Sequence, residues 1–289
     1  MIVAASNGLP GLHRVAIWFN DPGNWWGPNG LLARLGEHVV YSLVLVLAAL
    51  VLALPLGVMI GHSRRGVALL AGAANGLRAI PSLGLLLFLI VLLSPRLHVT
   101  SGFTSLIARG SIPYLIPAMI VLLVVALPPI LTATYAGVQS IDRGVRDAAR
   151  GAGMSPLQVM TKVELPCALP LIMSGVRNAT LEVIGTLTVA AYAPLVGGLG
   201  RFIVDGDQNL SDPRYGYPAM VAGGITIAAL ALVADGLLAL VQRRIVSPGV
   251  SGRSSPNPAF SRGVIRIHVT AQRPSPTEGH HGLAYQGGR

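Results

Sequence analysis

Arg177 and Glu182 lie inside a predominantly apolar run from Val163 to Tyr192. Charges in a bilayer core are rare and face a watery path or a partner, so both are candidates for a translocation pathway. Glu182 there would favour a cationic head group. The alternative is an interhelical bond to a hydroxyl or backbone group. Their spacing on one helix does not put them squarely on a shared face, so a mutual ion pair needs long-arm reach. Asp235, near the end of another run, is expected to pair with Arg243, Arg244 or a neighbouring helix. Other chemistry finds no residues to carry it. No His-Glu-x-x-His pattern or nucleophile-and-base set occurs within the runs. His38 and His62 lie at run ends and read as interfacial, and His280 with His281 are too few to argue for a metal. Cys167 is the single cysteine, so neither an intrachain disulfide nor a Cys-based metal cluster is open to the chain.

A second group of polar residues is compact and sits between two apolar runs. Ser140 to Pro166 reads SIDRGVRDAARGAGMSPLQVMTKVELP. Asp142 or Ser140 can cap a short helix containing Val145, Ala148 and Ala149. Gly151 and Gly153 end it, since helix C-termini favour glycine. Ser155 then caps a second helix, with Pro156 at its first position and Gln158 where a capping-box partner belongs. Leu157, Met160 and Val163 predict one apolar stripe on that helix. The segment is a built hairpin, and its small pair Ala148 and Ala149 would let a partner groove approach closely. A well-capped connector is the plainer reading.

The elements around these residues are apolar. Of the 289 residues, 52% are hydrophobic and 11% charged, whereas soluble chains carry about 25% charged residues. A soluble surface cannot be tiled from this composition, which excludes an ordinary cytosolic enzyme and a disordered chain. The net charge of +10 is scattered between apolar runs, a pattern of loops beside anionic lipid rather than a nucleic-acid surface. Charge-free or nearly charge-free runs cover Val39–Gly61, Gly66–Pro95, Gly110–Ile141, Val163–Tyr192 and Tyr215–Ala234. Each is long enough for an α-helix to cross ~30 Å of hydrocarbon. The expected fold is all-α, a polytopic membrane helix bundle with about five spans. The second is the least regular: residues 67–77 are Gly-rich, Arg78 is costly in lipid and Pro81 follows, so a short surface helix before a span over 79–95 is one option. Pro55, Pro117, Pro128 and Pro129 sit inside runs, where bundle neighbours re-satisfy the freed carbonyls.

The ends differ. Residues 1–36 form an extracytoplasmic N-terminal segment without a signal-peptide pattern. Trp18, Trp25 and Trp26 cluster there, as an anchor at headgroup depth or an aromatic cage for a quaternary ammonium. Residues 37–246 are the membrane domain, and 247–289 are a basic tail expected to be disordered. With the N-terminus outside, the inner loops and ends hold eight arginines and lysines against five outside, which matches the positive-inside rule.

The pattern Asp147-Ala148-Ala149, Gly153, Val163-Glu164-Leu165-Pro166 resembles the EAA loop of permease subunits of ATP-binding-cassette importers. The spacings match, with Asp147 in place of Glu and Val163 in place of Ile. Arg78-Ala79-Ile80-Pro81-Ser82-Leu83, the run Lys162 to Thr180, and Gly197-Gly198-Leu199-Gly200 are similar to segments of the osmoprotectant permeases of that class. Glu182 departs from that pattern, which has an uncharged residue there.

This resemblance implies a type I ABC importer transmembrane domain over roughly residues 36–245. It implies a plasma-membrane permease for glycine betaine, choline, carnitine or proline, with methionine or another small solute as the alternative. Its partners would be a dimer of ATP-binding subunits, a second permease subunit, the same or related, and an extracytoplasmic substrate-binding protein. Residues 140–166 would be a cytoplasmic coupling loop. Ala148, Ala149 and Gly153 would form the contact and the turn, and Asp147 would meet a base of the ATPase or Arg143, Arg146 or Arg150. Val163, Leu165 and Pro166 would seat the loop on the next span. Pro81 and Ser82, with Arg177 and Glu182, would border the substrate path. ATP would be used by the partner: this chain has no Gly-x-x-x-x-Gly-Lys-[Ser/Thr], its one lysine, Lys162, follows Thr161, and no cofactor is expected. A secondary carrier or channel would show paired half-sequences, and none is visible.

Overall fold

The computed structural model describes residues 10–64, 66–97 and 112–246. The expected basic tail and the first nine residues lie outside the described residues. Within them α1 is Pro10–Asn20, α2 Leu31–Ser63, α3 Val67–Ala79, α4 Ser82–Leu93 and α5 Ile112–Gln139. The hairpin follows as α6, Arg143–Gly151, and α7, Pro156–Val159. Then come α8, Leu165–Ala190, α9, Gly200–Gln208, and α10, Gly216–Ile245. No strand occurs among the described residues.

Four continuous helices are long and apolar enough to cross a membrane, and the bent pair α3 and α4 makes a fifth crossing if taken as one span. The bend there is 83°. It falls at Ile80-Pro81, because proline disfavours helical geometry in the residue before it. Arg78 is thereby in the last turn of α3, before the corner.

The packing centre is α5, which lies between α2 and α8. Small residues set its distance from both. A Cβ on Gly57 would meet Thr134 Cβ at 2.6 Å, and one on Gly175 would meet Ala133 Cβ at 2.4 Å. Without a hydrophobic drive between helices in lipid, such close backbone approach is what holds a bundle together. Leu122, Ala126, Ile130, Ala179, Val183 and Leu187 form the core of that contact. Outward, α2 exposes Leu43, Leu47, Val51, Leu52 and Met59, an apolar surface suited to acyl chains.

Two expectations change at the N-terminal end. The boundary between 36 and 37 falls inside α2, which begins at Leu31. Trp18 is not a headgroup anchor: it is 3% exposed and packs edge-on against Phe19 and Phe202 at 5.4 and 5.5 Å. The three indoles do not converge on one cage. Trp25 donates its Nε1–H to the Phe19 carbonyl at 2.7 Å, while Trp26 is 70% exposed. The reason is that α1 folds back on α10, which buries Trp18 in the protein instead of lipid.

Candidate functional site

The hairpin is rigid at both of its turns. Asp142 caps α6 by accepting from the Gly144 N–H. At the far end Gly153 has φ +83°, the left-handed geometry that favours glycine. Met154 N–H donates to the Ala149 carbonyl and Gly153 N–H to the Arg150 carbonyl, at 3.2 and 2.9 Å. Those two bonds are a Schellman motif, which satisfies the last carbonyls of the helix. Ser155 and Gln158 close a reciprocal capping box on α7. The segment Ser140 to Pro166 is therefore helix, turn, helix as its sequence predicts.

The second helix does not stop, however. From Pro156 to Ala190 it runs as one helix of 35 residues through a π-helical turn at Met160–Glu164. Leu165 N–H reaches back to the Met160 carbonyl. A proline ring clashes with the carbonyl four residues before it, and the widened turn gives Pro166 the room. Leu165-Pro166 thus joins the hairpin to α8 in one continuous helix. Of the expected stripe, Met160 and Val163 are half-buried but Leu157 is 65% exposed, and the buried position in that turn is Val159.

The turn carries Glu164 inward, where it is fully buried. Arg146 from α6 places Nε 2.8 Å from Glu164 Oε1, an ion-pair contact off hydrogen-bond angle. Arg146 Nη2 also donates to the Val138 carbonyl at 2.5 Å. From α2, His62 Nδ1 donates to Glu164 Oε2 at 2.8 Å. Three helices are tied through one carboxylate, and His62 is part of the tie. Asp147 is exposed and 3.7 Å from Arg150. Ala148 is exposed and Ala149 buried, so the pair presents one small side chain outward. Val163 and Leu165 are half-buried and Pro166 exposed.

A matching tie sits at the other end of α2. Glu37 is buried, contacts Arg34 at 3.1 Å and accepts from the Gly198 N–H at 2.9 Å. His38, also fully buried, accepts from the Leu199 N–H at Nδ1 and donates from Nε2 to the Ile184 carbonyl, each at 3.2 Å. His38 is a packed latch, because the loop before α9 folds over it. Gly198 has φ +95°, and a Cβ on Gly197 would lie 2.2 Å from Glu37 Oε2. The latch and the Glu164 tie are separated by about 37 Å of helix at 1.5 Å per residue, close to the bilayer's own span. The sequence signal for the latch is an acid-histidine pair abutting a charge-free run, with a Gly-Gly pair elsewhere.

The in-span charges separate into two roles. Arg177 holds Asp235 of α10 through two bonds of 2.8 Å, Nε to Oδ1 and Nη2 to Oδ2. Gln242, on the same helix, accepts from Arg177 and donates to the Pro170 carbonyl. The partner of Asp235 is thus the neighbouring helix, not Arg243 or Arg244. Glu182 makes no hydrogen bond or ion pair among the described residues. It is exposed, as is Arg78, whose charge acts on it across from α3. Pro81 forms the α3–α4 corner and Ser82 opens α4.

The described residues form an apolar helical bundle with a capped, ion-paired hairpin between two spans. The chain belongs to the binding-protein-dependent transport system inner membrane component family, whose model matches residues 49–247. It is 31% identical over 222 residues to the glycine betaine/carnitine/choline transport system permease protein OpuCB of Bacillus subtilis, covering 77% of this chain and 91% of that one. It is 32% identical to the choline transport system permease protein OpuBB of the same organism, over 76% of this chain and 90% of that one. The osmoprotectant import permease protein OsmW of Salmonella typhimurium is 33% identical, over 76% and 94%. In fold it is similar to an inward-facing structure of the MetNI methionine ABC transporter, with a TM-score of 0.58 at 21% identity, over 75% of this chain and 96% of that one. The type I ABC importer transmembrane fold expected from the resemblance is the fold of this chain.

Proposed function

We propose that this chain passes a compatible solute of the glycine betaine, choline, carnitine or proline type across the plasma membrane, driven by a separate pair of ATP-binding subunits. The named solutes of three relatives support the substrate class. The observation that carries the coupling is the buried Arg146–Glu164 contact. It welds α6 to the helix that enters the membrane, so a push on the hairpin is delivered to α8 rather than absorbed in a loop.

The hairpin faces the cytosol in this reading, with the N-terminus outside and the C-terminus inside. Ala148 and the Gly153 turn meet a groove of the ATPase, while Asp147 pairs with Arg150 on the other side of α6. A second permease copy, the same or related, completes the conduit, and an extracytoplasmic binding protein delivers the solute. Glu182 and Arg78 border the path near the Pro81-Ser82 corner. Both are exposed in a region where facing acyl chains would be prohibitive, so a watery path or a second subunit is what they face.

The deciding experiment is uptake of labelled glycine betaine and choline into proteoliposomes holding this chain with its ATPase and binding protein, with methionine as the control. ATP-dependent uptake of the quaternary ammonium compounds alone is expected. Uptake of methionine only would reassign the substrate, and uptake without ATP would remove the coupled mechanism.

A further inference from the structure

Charge is distributed unevenly around α6. Arg143, Arg146, Asp147 and Arg150 fall at i, i+3, i+4 and i+7, one side of a helix. Val145 and Ala148, both exposed, lie on the opposite side, which is the small, apolar one suited to a protein groove. The basic side turns toward the end of α2. There His62, Ser63 and Arg64 join Arg143, Arg146, Asp147 and Arg150 around a cavity of about 260 Å³. That is smaller than a drug-sized site of ~300–1,000 Å³ and has room for a head group.

The cavity is not charge-balanced. Arg146 is neutralised by Glu164, and Arg150 lies 3.7 Å from Asp147. Arg64 and Arg143 make no ion pair among the described residues. Arg64 is also held in left-handed backbone geometry, φ 55°, at the end of α2, where glycine would be the relaxed residue. The charge-free run Val39–Gly61 is long enough to cross the hydrocarbon, so Arg64 emerges at the level of lipid phosphates. Basic pockets between helices at that level bind anionic head groups.

We infer that this pocket holds the phosphodiester head group of an anionic phospholipid, clamped between the end of α2 and the coupling hairpin. The inference rests on the hairpin facing the inner leaflet beside its ATPase. The lipid then completes the charge of the pocket and fixes the level of the hairpin against the membrane.

The test uses the purified permease–ATPase assembly in nanodiscs of phosphatidylcholine with or without phosphatidylglycerol, with bound lipid counted by native mass spectrometry. Wild type retains phosphatidylglycerol, and R64Q/R143Q binds it about tenfold more weakly, with R64K/R143K close to wild type. If the double variant does not assemble, R64Q alone is expected to bind it about threefold more weakly. Equal retention by wild type and variant overturns the proposal. Protection of residues 62–64 and 143–150 from hydrogen exchange by inorganic phosphate but not by phosphatidylglycerol would make it a soluble-anion site and overturn the lipid assignment. Loss of the ATPase from R64Q/R143Q with lipid retention unchanged would make it a protein contact instead. ATPase co-purification is scored separately: an assembly with its ATPase but no retained lipid sinks the pocket alone, while no ATPase sinks the coupling reading alone.

Discussion

Arg146 and Glu164 lie 2.8 Å apart, on opposite arms of the hairpin, with both side chains buried. The pair is the joint between a surface helix and a membrane span. Removing one partner of a buried pair leaves an uncompensated charge and costs about 3–5 kcal/mol, whereas replacing both with apolar residues is often neutral. R146A is therefore expected to lower the thermal unfolding midpoint of the purified assembly sharply, and R146M/E164L/H62L, which removes the carboxylate together with both partners, to recover most of it. Equal destabilisation by R146A and the triple change would show that the pair is not the joint.

Gly153 is a purely conformational requirement. Nothing lies within 4 Å of a Cβ placed there, yet its φ is +83°. Left-handed geometry costs an ordinary residue about 1–2 kcal/mol. Gly153→Val, β-branched and strained in this geometry, is expected to abolish ATP-driven uptake while the protein still inserts, and Gly153→Asn, which tolerates it, to keep much of it. Normal transport by the Val variant would take the turn out of the mechanism.

Two glycines of α8 should respond oppositely to alanine. At Gly175 a Cβ would meet Ala133 Cβ at 2.4 Å and the Pro129 carbonyl oxygen at 2.8 Å. At Gly185 there is open space. G175A is expected to pry α8 from α5 and cost about 1–3 kcal/mol. G185A is expected to be neutral or to gain up to about 1 kcal/mol from helix propensity. Denaturation in detergent ranks the two, and the reverse order would contradict the packing.

The Arg177–Asp235 contact is bidentate, a geometry that lysine cannot reproduce. R177K should weaken the α8–α10 junction, and the exchange R177D/D235R should restore part of what R177D alone loses. Unfolding midpoints and surface expression report this, and additivity of the two single changes would mean no coupling.

Glu182 has no such bond. If it borders the path, E182Q should raise the KM for choline, a cation, more than that for glycine betaine, which is zwitterionic. Unchanged affinity and rate for both would end its place on the pathway.

The hairpin was legible from sequence because its determinants are local. A cap, a left-handed glycine and a capping box act within a few residues, and each is a residue type with one dominant geometry. The spans were legible for a different reason: a backbone in lipid must bond internally, so length and apolarity suffice to write a helix. The π-helical turn escaped, although Pro166 is its local cause, because periodicity assumes a constant number of residues per turn.

By itself the sequence determined an all-α membrane bundle, the capped hairpin and the likeness to an importer permease. The tertiary structure alone decided which charges meet. Glu37 finds Gly198, Glu164 finds His62 and Arg146, and Arg177 finds Asp235. Those partners are distant in the chain, and their Coulomb attraction matters only once packing has excluded water and brought them within hydrogen-bond reach, which no local pattern encodes.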